Sequence, residues 1–199
     1  MKKSPSITVI ILNYNAGKIL LDCVSSVLKS DYDNFEVLVV DNNSKDQSHK
    51  DCKKKFPQIR MIENNENFGY CEGNNIGIRN TDSEFVVILN PDTLVETTWL
   101  KGFIDSYKQF GEGLYQPKFL SIDNKKILGS TGNKIQLFGF GYARGLYVPD
   151  EGQYNKPEEI NYASGTCLFT SNKIMQKLGM FDSFIFAYHD DLDLGWRAS

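Results

Sequence analysis

Three runs of apolar, largely β-branched residues mark the first half of the chain: Ile7 to Leu12 (ITVIIL, broken only by Thr8), Phe35 to Val40 (FEVLVV) and Glu84 to Leu89 (EFVVIL). A strand with one wet face alternates apolar and polar side chains. These runs do not, which is the pattern of strands buried on both faces in a parallel sheet. A weaker run, Ile59 to Glu63 (IRMIE), falls between the second and third. Between the first two runs the period changes. Leu20, Cys23, Val24, Val27 and Leu28 recur at spacings of three and four, which predicts an amphipathic helix of roughly three turns. Ser44 to Gln47 (SKDQ) has the capping-box form and predicts the start of a second helix there. Strand and helix thus alternate through about the first 110 residues. That order predicts an α/β fold: parallel strands joined by right-handed crossovers in a mainly parallel central sheet flanked by helices, a three-layer α/β/α arrangement.

The pattern changes in residues 111–162, where glycines and aromatics (LFGFGYARGLYVP) replace long periods. Irregular strands and loops are predicted, as an antiparallel addition or a flap. Aromatics within 138–147 either contact a ligand or pack that flap, and packing is the favoured expectation. Ala163 to Phe169 reads as a strand, Ser171 as the cap of a short helix and Gly179 as the left-handed residue that closes it. A final helix over Asp190 to Ala198 would carry Asp190 and Asp191 in its first turn and an Asp193–Arg197 pair four residues apart. No linker rich in Pro, Gly or Ser divides the 199 residues, so one domain, 1–199, is expected.

With 41% hydrophobic and 24% charged residues the chain can close a core without staples. A net charge of −3 excludes sequence-independent nucleic-acid binding, which requires a basic footprint. Cys23, Cys52, Cys71 and Cys167 have no CxxC spacing and no clustered histidines, so reduced, packed thiols are expected rather than a zinc site or a disulfide framework. The opening MKKSPS leads into no signal-like apolar segment, and the first apolar run is too short to cross a bilayer. A cytoplasmic location follows as the expectation.

Ligands of parallel α/β sheets bind beyond the carboxyl ends of the strands. Those ends are polar here: Asn13-Tyr14-Asn15, Asp41-Asn42-Asn43-Ser44 and Asn90-Pro91-Asp92-Thr93. Any one of Asp41, Ser44, Asp92 or Thr93 alone is most simply a helix cap. Their coincidence at one edge points instead to a site, where carboxylates could hold a divalent cation and the cation a diphosphate. Asn67 to Ile78 (NFGYCEGNNIGI) spaces glycines every four residues and matches neither GxGxxG nor a P-loop. It is either a helix packed closely through a small stripe or a polar loop whose Asn67, Asn74 and Asn75 recognise bases or sugar hydroxyls. Before the last helix the aromatics of FDSFIFAY could wall a cleft and raise the basicity of the acids that follow.

Together these residues resemble family 2 glycosyltransferases of the GT-A fold, within them the rhamnosyltransferase-like branch. The resemblance spans nearly the whole chain: VIILNYNAGKILLDCVSSV, VVDNNSKDQS, NFGYCEGNNIGI, VVILNPDT, SGTCLFTSNKIMQKLGMFD and YHDDLDLGWR, in the family's order. It implies a nucleotide-sugar-binding half (1–110) and an acceptor-side half (111–199). Asp41 resembles the acid that contacts the base or ribose of the donor, with the backbone around Leu12, Asn13 and Tyr14, and Ser44, on the same pocket. Asn67, Gly69 and Asn74 resemble the loop lining it. Asn90-Pro91-Asp92 stands where relatives carry Asp-x-Asp, so Asp92 would hold a divalent cation, Mg²⁺ or Mn²⁺, with Asn90 in place of the first acid. Ser164 and Gly165 resemble the segment facing donor sugar and acceptor. Asp190-Asp191 takes the place of a Glu-Asp pair, which makes Asp191 the candidate general base, with Asp190, Trp196 and Arg197 around the substrate.

The resemblance implies an inverting transferase that moves a sugar, rhamnose among the candidates, from a nucleotide-diphosphate donor to a saccharide or lipid-linked acceptor in surface polysaccharide synthesis. It also implies association of the full-length protein with the inner face of the membrane. Relatives continue past the GWR helix, so a chain trimmed at its C-terminus is expected. Two other readings remain at this stage: a non-catalytic nucleotide-sugar-binding module, and a sugar-phosphate nucleotidyltransferase, whose glycine-rich basic loop is replaced here by NYNAGK.

Overall fold

The computed structural model describes residues 4–199; Met1 to Lys3 of the MKKSPS opening lie outside them. The four apolar runs become strands β1 (Ile7–Asn13), β2 (Phe35–Asp41), β3 (Arg60–Glu63) and β4 (Phe85–Leu89). Helices α1 (Lys18–Val27), α2 (Ser48–Lys55) and α3 (Gly69–Arg79) connect them, and α4 (Trp99–Phe110) follows β4. Two short antiparallel ribbons come next, β5 (Phe119–Leu120) with β6 (Leu128–Ser130) and β7 (Asn133–Ile135) with β8 (Gly141–Ala143). The chain returns to the sheet as β9 (Cys167–Ser171), then forms α5 (Asn172–Lys177) and α6 (Asp190–Ala198).

The central sheet has the order β3-β2-β1-β4-β9, parallel except for β9, which pairs antiparallel with β4. Both faces are covered, which explains the unbroken apolar runs. Ile7, Val9 and Ile11 of β1 pack with Leu20 and Val24 of α1, Cys52 of α2 and Phe103 of α4 on one face. Ile10, Leu38 and Val40 pack on the other with Ile78 of α3, Met175 of α5 and Leu194 of α6. The one polar interruption, Thr8, is fully buried, and its hydroxyl meets those of Thr81 at 2.5 Å and Ser83 at 2.7 Å. The architecture is the expected three layers. All four cysteines are free and buried, and burial pushes the Cys23 and Cys71 thiols up to about 12, so they are inert packing groups. Among the described residues no helix is long and apolar enough to cross a membrane.

Three local expectations are corrected. The second helix starts at Ser48, not at a Ser44 cap, with left-handed Gln47 before it. The Ser44 hydroxyl is occupied elsewhere, accepting from the Asn15 backbone N–H at 2.9 Å, while Asp46 takes the Ser48 N–H at 3.0 Å. The strand expected from Ala163 begins only at Cys167, because Ser164 to Thr166 form a turn closed by Cys167 N–H donating to the Ser164 carbonyl. The aromatics at 138–147 do not pack: Phe138, Phe140, Tyr142 and Tyr147 are exposed. Elsewhere the capping reading holds. Ser171 accepts from the Ile174 N–H at 3.2 Å, and Gly179 sits at φ +78° after α5.

Candidate active site

In this sheet β1 lies between β2 and β4, so the strand order reverses there and a crevice opens at its carboxyl end. Asn13 and Asp41 are register partners at that end. Both are buried, and the Asn13 amide donates to Asp41 Oδ1 at 2.6 Å, with the Ser48 and Ser44 hydroxyls also in reach at 2.9 and 3.1 Å. Asp41 Oδ2 accepts the Ser44 N–H at 2.9 Å. Sequence reasoning missed two residues of this cluster. Asn42 donates to Asn67 Oδ1 at 3.0 Å and to the Gly69 carbonyl at 2.9 Å, tying the end of β2 to the start of α3. His49, 5% exposed on α2, lies between the carboxylates of Asp41 (3.6 Å) and Glu63 (3.7 Å). Asn42 sat in view within the polar strand end, whereas nothing in the sequence of α2 signals that His49 turns toward β2. Tyr14, by contrast, is half exposed at the rim.

The glycine stripe is a helix packed against the sheet. A Cβ on Gly73 would meet Leu12 Cδ1 at 2.5 Å, and one on Gly77 would meet Ile10 Cγ2 at 2.5 Å. Gly69 opens the helix at φ +77°, with the Phe186 backbone against it. Asn67 accepts the Gly69 N–H at 2.9 Å, and Asn75 clamps Phe181 with two bonds. Asn74 donates to the Tyr70 carbonyl, and its buried Oδ1 has no partner among the described residues.

Because β9 runs antiparallel to β4, the turn before β9 lies at the same sheet edge as the turn after β4. Asn90 N–H donates to the Thr166 carbonyl at 2.9 Å and joins the two turns. Asp92 stands beyond Asn90, exposed, and no cluster of three metal-ligating side chains surrounds it among the described residues. A lone exposed carboxylate suits a hard cation that keeps water and takes its other oxygens from a phosphate ligand.

The same turn reaches α6. Gly165 N–H donates to Asp191 Oδ2 at 3.3 Å, and the Tyr70 hydroxyl donates to the Gly165 carbonyl at 2.6 Å. A Cβ on Gly165 would lie 2.7 Å from the Tyr70 oxygen and 3.2 Å from Asp190 Oδ2, so a side chain here would push the Tyr70 hydroxyl off the turn. Ser164 N–H donates to Gln116 at 2.8 Å, a partner the sequence did not reveal. Burial, then the charge of Asp191, pushes Asp190 up to about 6. Burial also raises Asp191, opposed by N–H donation from Gly165 and Leu192. Tyr188 and His189 before them are both left-handed, a strained approach for side chains of this size. At the far end of α6, Arg197 is engaged within the protein, by Nε and Nη2 with Asp193 at 3.0 and 2.6 Å and by Nη1 with the Leu178 carbonyl. Trp196 is largely exposed.

The structure therefore gathers two groups at one edge. Asn13, Asp41, Ser44, Asn67, Gly69 and Asn74 surround the β1–β2–α3 crevice, while Asn90, Asp92, Ser164, Gly165, Asp190 and Asp191 follow the β4–β9 turns to α6. Trp196 and Arg197 lie further along α6. A separate cavity of about 820 Å³, lined by Tyr115, Lys118, Arg144 and Tyr154, contains none of these residues.

The family model described as "Glycosyl transferase family 2" matches residues 8–179. Among curated proteins, the chain is 24% identical over 196 residues to the low-salt glycan biosynthesis hexosyltransferase Agl10 of Haloferax volcanii, covering 96% of this chain and 61% of that protein. Among solved structures, TarS 1-349 of S. aureus superposes with a TM-score of 0.72 at 19% identity, covering 97% of this chain and 55% of that one. The mannosyltransferase PcManGT of Pyrobaculum calidifontis, solved in complex with GDP-Man and Mn²⁺, gives 0.64 at 17% identity over 92% of this chain and 51% of that one. These likenesses establish a shared GT-A fold. The chain spans 61% or less of the length of each.

Proposed function

Because the chain belongs to glycosyl transferase family 2, we propose that it transfers a sugar, with inversion, from a nucleotide-diphosphate donor to a saccharide or lipid-linked acceptor in cell-surface polysaccharide assembly. One observation carries this reading: the Asp41 crevice and the Asp190–Asp191 pair open on one sheet edge and are joined through the start of α3, where Asn42 holds the Gly69 carbonyl and the Tyr70 hydroxyl holds the Gly165 carbonyl, whose own N–H reaches Asp191. The first group would take the nucleoside. A carboxylate only accepts hydrogen bonds, so Asp41 favours a base or ribose edge that presents a donor. Asp92 would hold a divalent cation, which supplies positive charge against the diphosphate leaving group.

The acceptor hydroxyl would approach past Ser164 and Gly165. Its oxygen forms a bond to the anomeric carbon as the bond from that carbon to the diphosphate breaks, and its proton passes to Asp191. Attack opposite the leaving group inverts the centre, and one base suffices. The raised basicity of Asp191 suits that role, because burial disfavours its bare carboxylate. Rhamnose as the donor sugar, and the inner face of the membrane as the place of work, are the finer proposals.

Asp191→Asn tests the assignment. Nucleoside diphosphate release from a nucleotide sugar with acceptor is expected to fall by about 10²–10⁴-fold, with nucleotide affinity retained. A binding module would have no turnover to lose, and a nucleotidyltransferase would release pyrophosphate instead.

A further inference from the structure

Tyr70, the second residue of α3, stands where three parts of the candidate site meet. Its backbone N–H donates to the Phe186 carbonyl at 2.6 Å and so fixes the segment leading into α6. Its ring packs edge-on against Phe181, with centroids 5.8 Å apart. Its hydroxyl reaches the turn before β9 and donates to the Gly165 carbonyl at 2.6 Å. A phenylalanine would fill the same ring space, so packing alone does not call for that hydroxyl.

The group at the end of this junction is Asp191. Its Oδ1 accepts the Leu192 N–H of its own helix at 2.8 Å. Its Oδ2 accepts the Gly165 N–H at 3.3 Å, which among the described residues is the one hydrogen bond that fixes this carboxylate from outside α6. A bond that long weakens readily, so it depends on how firmly the turn is held. Gln116 holds the turn at Ser164 and Asn90 holds it at Thr166. The Gly165 carbonyl itself is held, among the described residues, by Tyr70 alone.

We infer that Tyr70 is a positioning residue, whose hydroxyl pins the turn so that the Gly165 N–H stays on Asp191 and aims its carboxylate. The inference rests on the role proposed above for Asp191 and adds what holds that base in place. N–H donation favours the charged carboxylate, so a loosened turn leaves Asp191 more basic and less well aimed. The titratable groups facing Asp191 are Asp190 and His189 beside it, Tyr70 from α3 and Tyr162 before β9. Burial, then carboxylate charge, raises both hydroxyls, so they remain donors across the range in which the acids titrate. Asp193 and Arg197, further along α6, pair with each other.

The test follows the titration of Asp191 in the whole chain by NMR of aspartate labelled with ¹³C at Cγ, with Asp191→Asn identifying its signal. Tyr70→Phe is expected to move the Asp191 midpoint to higher pH by about half a unit or more, the scale of one weakened hydrogen bond to a charged group. Gly165→Ala, whose methyl would crowd the same hydroxyl at 2.7 Å, should move it in the same direction. Tyr115→Phe is the control: it loses a hydroxyl-to-carbonyl bond of the same 2.6 Å, to Gly111, and should leave the midpoint in place. In the transfer reaction Tyr70→Phe should lower kcat by about tenfold to a hundredfold. Asn42 keeps its hold on the Gly69 carbonyl in this variant, so the donor KM should stay within roughly twofold.

The inference is overturned if folded Tyr70→Phe leaves the midpoint where the parent has it, or moves it no further than Tyr115→Phe does. It is equally overturned if the midpoint moves while kcat holds, since Gly165 would then tune Asp191 without aiming it. The titration needs no substrate, so these outcomes are separate from failure of the transferase reading, which would show as a parent chain that releases no nucleoside diphosphate.

Discussion

At the residue scale the acid pair opening α6 combines two demands that oppose each other. A general base must be basic, and burial makes it so, but burial also costs stability whenever the carboxylate is charged. Asp190 is 7% exposed and is raised to about 6, above the ordinary 3.8 of an unfolded aspartate. The native state therefore binds this proton more tightly than the unfolded chain does. Stability from this group is fully present below about pH 4 and is lost as pH rises to about 6, an effect of up to about 3 kcal/mol at 1.4 kcal/mol per unit. Asp190→Asn removes the titration. Melting temperatures across this range should show the variant gaining on the parent as pH rises and then holding a constant lead. A gap that stays flat from acid to neutral pH would mean that Asp190 is not buried as a charge.

At the element scale the packing of α3 on β1 decides how closely the Asn67–Gly69 turn approaches Asp41. Gly73→Ala would thrust a methyl into Leu12 at 2.5 Å and the Asn42 amide at 3.0 Å. A loss of about 1–3 kcal/mol is expected in urea unfolding, with weakened nucleotide binding because Asn42 must move. Gly102 of α4 is the internal control, with nothing within 4 Å of an added Cβ. Gly102→Ala should stabilise by about 0.5–1 kcal/mol through helix propensity alone. The same contacts explain what was legible in the sequence. Strands buried on both faces announce themselves as unbroken apolar runs, and acids at their ends announce an edge, which put Asp41 and Asp92 in view, whereas Asp191, at the start of a helix, stood out only through the resemblance of YHDDLDLGWR to the family's acid pair. Four-residue glycine spacing fits either a packed helix or a ligand loop, and only Leu12 and Ile10 facing it decide. The Ser44 capping box misled because its hydroxyl answers to Asn15 across the crevice rather than to its own helix. His49, Gln116 and Tyr70 matter through partners brought near by crossovers, and no local pattern encodes those.

At the scale of the whole molecule, the two halves of the candidate site share a single sheet. A donor spanning Asp41 and Asp92 would thus brace β1, β2 and β4 at their open ends. Whatever binds the native state alone stabilises it, by about 2.7 kcal/mol at a hundredfold excess over Kd. For a domain near 200 residues that is a rise in melting temperature of roughly 5–10 °C. Scans with UDP, GDP and dTDP should show such a rise for one base, larger with Mn²⁺ or Mg²⁺ than with EDTA. Asp92 is the only carboxylate of Asn90-Pro91-Asp92, so Asp92→Asn should erase the metal-dependent part and leave the remainder intact. Asn90→Asp should do the reverse: a second charge beside the first tightens the cation and steepens its effect on nucleotide binding. A rise identical in EDTA, Mn²⁺ and Asp92→Asn would separate nucleoside recognition from the β4 turn altogether. Neutralisation of the diphosphate would then have to come from groups other than a cation on Asp92.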